Sequence, residues 1–87
     1  MQSYLVKYEE CGLSHSGKTK IWSVKNSSSD FEVGRIKWMA PWRKYVFEPA
    51  YNCVFDPDCM RDIATICELK TNEHMGRIVV DAVSTNV

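Results

Sequence analysis

The chain has 87 residues, of which 45% are hydrophobic and 11% aromatic, and its formal net charge at pH 7 is zero. This length fits one domain, and the hydrophobic content excludes disorder of the whole chain. The sequence contains no run of 18 apolar residues, which excludes a transmembrane helix, and residues 1–7 lack the basic-then-apolar layout of a secretory signal.

We therefore expect one domain over residues 1–87, located in the cytoplasm. Its charge is unevenly distributed, because residues 1–45 carry eight basic and four acidic side chains, whereas residues 46–87 carry three basic and seven acidic ones. Such asymmetry between halves points to an anionic partner for the first half.

The four cysteines do not form a recognisable ligand or disulfide pattern, since none lies in a C-x-x-C pair. Without an export signal we expect reduced thiols, and two of them fall on the apolar stripe of a predicted helix. No metal site is predicted, although zinc bound by Cys53, Cys59 and a distant partner is an alternative without the usual spacing.

Period-two alternation of apolar and polar residues predicts strands along the first half of the chain. In the second of them Trp22 and Val24 share one face. Glycine and serine predict a loop over residues 11–18. The predicted strands cover residues 4–9, 19–25, 31–38 and 43–47, with residues 39–42 as a hairpin connection.

The second half begins with a helix-start signal at Asp56, Pro57 and Asp58, which supply a cap, a first-turn proline and a favourable charge. The helix is amphipathic, it ends between residues 71 and 76, and residues 77–83 are predicted as a final strand. Its apolar stripe consists of Cys59, Met60, Ile63, Ala64, Ile66, Cys67 and Lys70.

This order of elements predicts an α+β fold, with a small antiparallel sheet of about four to five strands. One amphipathic helix, over about residues 57–72, packs on one face of that sheet. The other face is left open.

Residues 12–19 (GLSHSGKT) match the phosphate-binding pattern G-x-x-x-x-G-K-[ST], and residues 78–81 (IVVD) resemble the strand that holds magnesium in nucleotide hydrolases. That chemistry needs a helix directly after the lysine, whereas residues 19–25 have strand periodicity. A hairpin loop with a surface lysine is favoured, and a nucleotide hydrolase is the remote alternative. No catalytic cysteine–histidine arrangement is indicated, so we predict no enzyme activity and no cofactor.

The densest functional signal lies in residues 34–47, where cations and aromatic residues alternate. Ile36, Trp38, Tyr45 and Phe47 are predicted to face the helix together with Trp22. The opposite face then presents cations, and a tryptophan lies at the hairpin tip, where packing does not require it. The predicted binding residues are Arg35, Lys37, Trp42, Arg43, Lys44 and Lys25, with Lys7 as a further cation. Alternatively, these cations only form the polar outer face that any one-sided sheet needs.

Residues 34–49 (GRIKWMAPWRKYVFEP) and 59–63 (CMRDI) resemble a pattern that recurs in small phage and prophage proteins. That pattern reads G-x-I-x-W-x-x-x-W-R-x-Y-x-F-x-P, followed by a helix that opens with C-[LM]-x-[DE]-I, and the resemblance covers about residues 20–70. The family has no settled activity, so it implies no catalytic residues. By analogy it implies a phage accessory protein that antagonises a host antiviral component, as an anti-CRISPR-like inhibitor or a sponge for a nucleotide signal.

The primary hypothesis is therefore a non-catalytic protein that acts by stoichiometric binding to a host defence protein or its nucleotide ligand. The alternative is a nucleic-acid- or nucleotide-binding module that uses the same basic and aromatic hairpin. A homodimer is compatible with either hypothesis, because so small a sheet can associate through its edge or its open face.

Overall fold

The structure is a computed structural model that describes residues 6–76. Four strands form one sheet in chain order, each antiparallel to the next, and one helix follows them. The predicted α+β fold is therefore confirmed, whereas the predicted final strand over residues 77–83 lies outside the described residues. The elements are β1 (Val6–Leu13), β2 (Lys20–Asn26), β3 (Glu32–Met39), a 3-10 turn (Ala40–Trp42), β4 (Lys44–Pro49) and α1 (Pro57–His74).

The first strand is longer than the sequence predicts, because β1 continues through the expected loop as far as Leu13. The register shifts between Glu10 and Gly12, which leaves Cys11 as a bulge, and pairing resumes with Gly12 opposite Ile21. A bulge reverses the side-chain alternation, so the period-two pattern that marks a strand in the sequence ends too early. The prediction of a loop from residue 11 onward was therefore wrong by three residues.

Alternation along the strands selects the face that the helix covers. Trp22 pairs with Ile36 and Trp38 with Tyr45, so these side chains share one face, as predicted. The core lies between that face and the helix. Its buried hydrophobic members are Val6, Val24, Ile36, Tyr45, Ile63 and Ile66.

The start of α1 follows from its sequence. Asp56 is the N-cap, and its Oδ1 accepts a hydrogen bond from the backbone N–H of Cys59 at 2.8 Å. Pro57 occupies the first turn, where its missing N–H costs nothing. The helix stops before Gly76, whose φ of +75° is the left-handed conformation that commonly ends helices. No helix within residues 6–76 is long and apolar enough to cross a membrane.

Lys70 connects the last turns of α1 to two aromatic rings of β1 and β2, on the face of the sheet that the helix covers. Its ammonium lies 4.1 Å from the centroid of Trp22 and 5.1 Å from that of Tyr8, and only 11% of its side chain is exposed. The two rings meet edge to face at 75° with centroids 5.7 Å apart, so they form two walls around one cation. Glu73 Oε1 lies 3.3 Å from the same nitrogen.

Replacing Lys70 by methionine keeps the aliphatic stem but removes the charge between the rings. We expect Lys70→Met to lower the free energy of unfolding by about 1–2 kcal/mol, because the ammonium is largely shielded from water. Urea unfolding followed by tryptophan fluorescence measures this loss. Lys44→Met, at an exposed position, is the control. Equal stability of the two variants would contradict a stabilising role for the ammonium.

A second constraint on packing is the absence of a side chain at position 34 of β3. A Cβ there would lie 2.5 Å from Cζ of Phe47 and 2.6 Å from the backbone oxygen of Glu48. We expect Gly34→Ala to lower the free energy of unfolding by about 1–3 kcal/mol, because backbone and ring must both move. Gly12→Ala, on β1 with nothing within 4 Å of the added carbon, is the matched control. Chemical denaturation of both variants checks this, and two similar losses would contradict it.

Candidate functional site

The six predicted binding residues divide into two groups. Those on the two central strands, β2 and β3, lie on the open face, away from the helix, which agrees with the predicted orientation. The others lie at the end of the 3-10 turn or directly after it, at one end of the sheet. The open-face group is Lys25, Arg35 and Lys37, and the group at the turn is Trp42, Arg43 and Lys44.

Each cation of the open-face group has a carboxylate partner. Lys25 Nζ lies 2.9 Å from Glu9 Oε2 on the neighbouring strand. This hydrogen bond, together with the charge of Glu9, raises the pKa of Lys25. Lys37 Nζ lies 3.1 Å from Glu48 Oε2 across the β3–β4 pair. The predicted further cation, Lys7, is likewise paired, with Asp30.

Arg35 belongs to a three-residue hydrogen-bonded cluster on the same face. Its Nε donates to Glu32 Oε2 at 3.1 Å, and the buried hydroxyl of Ser23 donates to the same oxygen at 2.6 Å. The Ser23 hydrogen bond, followed by that of Arg35, lowers the pKa of Glu32. The open face is therefore a network of matched charges, not the exposed cationic surface that the sequence suggests.

Three cations among the described residues make no ion pair with a described carboxylate. They are Lys18, Arg43 and Lys44. All of them lie at the end of the sheet that carries the β1–β2 loop (residues 14–19) and the 3-10 turn. We call this the loop end. Uncompensated positive charge within residues 6–76 is concentrated there, and not on the sheet face.

Trp42 lies in the 3-10 turn with 64% of its surface exposed. Its ring makes no aromatic or cation–π contact with another residue of the described part of the chain. The turn itself has no buried residue. An indole in this position does not stabilise the core, and exposed tryptophans of this kind are frequent anchors of protein interfaces.

Arg43 adopts a backbone conformation that is unfavourable for its residue type. Its φ is +55° and its ψ is +47°, the left-handed region. The two other non-glycine residues with positive φ in the described range are Asp30 and Asn52, residue types that tolerate this region. The Arg43 N–H donates to the carbonyls of Met39 and Ala40 at 2.9 and 3.1 Å, which fixes the turn. Glycine would adopt this backbone conformation with less strain, so an arginine here suggests a functional role for its side chain.

Residues 12–19, which match a phosphate-binding loop in sequence, form the end of a β-hairpin. The N–H of Gly17 donates to the Ser14 carbonyl at 2.8 Å, and the N–H of Thr19 donates to Ser14 Oγ at 3.3 Å. The N–H of Lys18 lies 3.4 Å from Ser16 Oγ, and β2 follows directly instead of a helix. These amides are committed within the loop, so they cannot surround a phosphate as the motif requires.

Burial works against reactivity at two of the four cysteines. All four are free thiols, and burial raises the pKa of Cys67 to about 11. Burial, followed by the charge of Asp56, also raises the pKa of Cys59. Nucleophilic cysteines need the opposite shift. Within residues 6–76 no group of three histidine, cysteine or acidic side chains is arranged to hold a metal ion, so zinc at Cys53 and Cys59 gains no support.

No protein-family model, no curated protein and no solved structure matches this chain. The candidate site therefore depends on geometry alone. We define the turn site as Trp42, Arg43 and Lys44, a subset of the predicted binding residues. Lys18 was interpreted in the sequence only as a surface lysine, and its place beside the 3-10 turn becomes visible only when the hairpin topology is known.

The pairing on the open face leads to a pH-dependent prediction for Glu32. Because its pKa is lowered in the folded state, the stabilising effect is present above the unfolded-state pKa and is lost as pH falls through the folded-state pKa. We expect Glu32→Gln to lower the free energy of unfolding at pH 7 by no more than about 1 kcal/mol, since exposed pairs are screened.

This difference between wild type and Glu32→Gln should shrink toward zero as pH is lowered below about 4. Thermal and urea unfolding across pH measure it. Glu68→Gln, which replaces an exposed helix carboxylate without an ion pair to a described residue, is the control. A difference that grows on acidification would show that the assumed sign of the Glu32 effect is wrong.

Proposed function

We propose that this protein is a non-catalytic binding module, and that its turn site recognises an acidic patch on a partner protein. One observation carries the proposal. Trp42 exposes its indole in a turn that is fixed by hydrogen bonds. It is followed by Arg43, whose backbone is left-handed, and by Lys44, which has no carboxylate partner among the described residues. Tryptophan and arginine in adjacent positions are the residue types that dominate interface energetics.

The state of the open face favours a protein partner over a nucleic acid. Binding along a phosphate backbone draws on several free cations in a row, each of which displaces condensed counterions. Lys25, Arg35 and Lys37 are already neutralised by carboxylates, so a nucleic acid would have to break these pairs. The unpaired charge at the loop end is compact, as is typical of a local contact with an acidic protein surface.

The proposal of binding without catalysis is supported by the groups that would have to react. The cysteines with shifted pKa values are shifted away from the thiolate, and the amides of the GKT loop are used within the hairpin. The raised pKa values of Cys59 and Cys67 make them poorer nucleophiles, and the GKT amides are already used, so both observations support binding without catalysis. A small rigid turn that docks on a partner needs neither an activated thiol nor free loop amides.

The biological setting that we propose follows from the resemblance to small phage and prophage proteins. In that setting the protein acts in the host cytoplasm as a stoichiometric antagonist of an antiviral defence protein. The turn site coincides with the W-R-x-Y segment of the pattern, which gives the resemblance and the geometry one location in common. Occlusion of an acidic or nucleic-acid-mimicking surface of the target is the mode of action that the turn site favours.

The conformation of Arg43 allows binding and stability to be separated. Replacing it by glycine relieves the left-handed strain, and we expect Arg43→Gly to raise the free energy of unfolding by roughly 0.5–1 kcal/mol. The same variant should lose partner capture from host lysate, because the guanidinium is gone. Affinity purification with quantitative mass spectrometry, together with urea unfolding, measures both effects.

Trp42→Ala should abolish capture without changing stability by more than about 0.5 kcal/mol, as expected for an exposed side chain. Tyr51→Ala, at an aromatic residue that is 92% exposed outside the loop end, and Arg35→Ala, at an ion-paired arginine, are the controls and should retain the partner. Capture that survives in both turn variants would refute the turn site. Binding to a single-stranded oligonucleotide that collapses between about 50 and 200 mM salt would favour the nucleic-acid alternative instead.

A further inference from the structure

A groove separate from the turn site lies at the loop end, between the β1–β2 loop, the end of β3 and the last turn of α1. Its volume is about 700 Å³. This volume lies in the range of small-molecule sites, and the groove is lined by polar side chains of the β1–β2 loop together with a few apolar ones. We propose that this groove binds a nucleoside monophosphate, with the phosphate at Lys18 and the base against the aromatic rings of Trp38 and His74.

The phosphate end is defined by the β1–β2 loop. Lys18 is exposed and has no carboxylate partner among the described residues, so its ammonium is free to meet an anion. His15 lines the groove beside it and adds N–H donor capacity. The hydroxyls of Ser14 and Ser16 lie 3.2 Å apart and bond to each other and to loop amides, which holds this loop in one shape before a ligand arrives.

The base end is defined by aromatic rings on the helix side of the groove, where the half-buried Trp38 lines it. Ile21 and Met39 are also half-buried and line the groove, but they alternate to the other face of the sheet. His74, from the last turn of α1, packs on Trp38 with ring centroids 4.2 Å apart. Trp38 is also held edge to face by Tyr45, at 5.3 Å. Aromatic rings in this position accept the face of a purine or pyrimidine ring.

The charge in the groove limits the ligand to few phosphates. Lys37 also lines it, but its ammonium is paired with Glu48 at 3.1 Å, so Lys18 is the one lysine of this groove without a carboxylate partner among residues 6–76. The loop amides that coordinate triphosphates in nucleotide hydrolases are used within the hairpin. One free ammonium and an aromatic wall match one phosphate and one base.

Isothermal titration calorimetry with adenosine 5′-monophosphate tests this site. We expect one molecule bound per chain, with adenosine and ribose 5-phosphate each binding about ten-fold or more weakly, because each lacks one of the two recognised parts. Lys18→Ala should weaken binding of the monophosphate by about ten-fold or more and leave adenosine unaffected. Lys18→Arg should retain binding.

Lys7→Ala is the matched control, since it removes a lysine that is paired with Asp30 away from the loop end. The inference is overturned if adenosine 5′-monophosphate gives no binding at millimolar concentration, if adenosine binds equally well, or if Lys18→Ala binds like wild type. The outcome does not depend on the turn site, because Trp42→Ala and Arg43→Gly leave the groove residues in place and should bind the monophosphate normally.

Discussion

The constraint on which the rest of this structure depends is that a single helix covers one face of a four-stranded sheet. Ile63 and Ile66 of α1 pack against Val24 and Ile36, which are fully buried. One helix cannot reach around the strands, so every large apolar side chain that is available for the core has to point toward it. The opposite face must then be polar, whatever the function of the protein.

In a chain without net charge, this polar face becomes a network of ion pairs. A cation in the middle of a strand has neighbours on the adjacent strands within reach, and here carboxylates occupy those positions, as with Lys25 and Glu9. Where the chain turns, an adjacent strand is missing on one side. Lys18, Arg43 and Lys44 lie at such positions and remain without an acidic partner among the described residues. The free charge of the described part of the chain therefore follows from topology as much as from composition.

Sequence reasoning succeeded where the physics is local. Alternation placed Trp22, Ile36 and Tyr45 on the helix side, and the Asp56 cap marked the start of α1. It failed where the result depends on register. The bulge at Cys11 lets β1 run into the expected loop, and the partners of Lys25 and Lys37 come from residues that are neighbours only after the strands have paired. A count of cations on one face cannot reveal this, because it omits the carboxylates between them.

The helix also supports the turn in which Arg43 is strained. Behind the turn, the N–H of Tyr45 donates to Thr71 Oγ1 at 2.9 Å, and His74 packs on Trp38. Both strands that flank the turn are thus attached to the last turns of α1. An unfavourable backbone angle persists only where the surroundings hold it in place, and these contacts supply that support. Because His74 also lines the groove at the loop end, the helix terminus that supports the strands flanking the turn is also part of that groove.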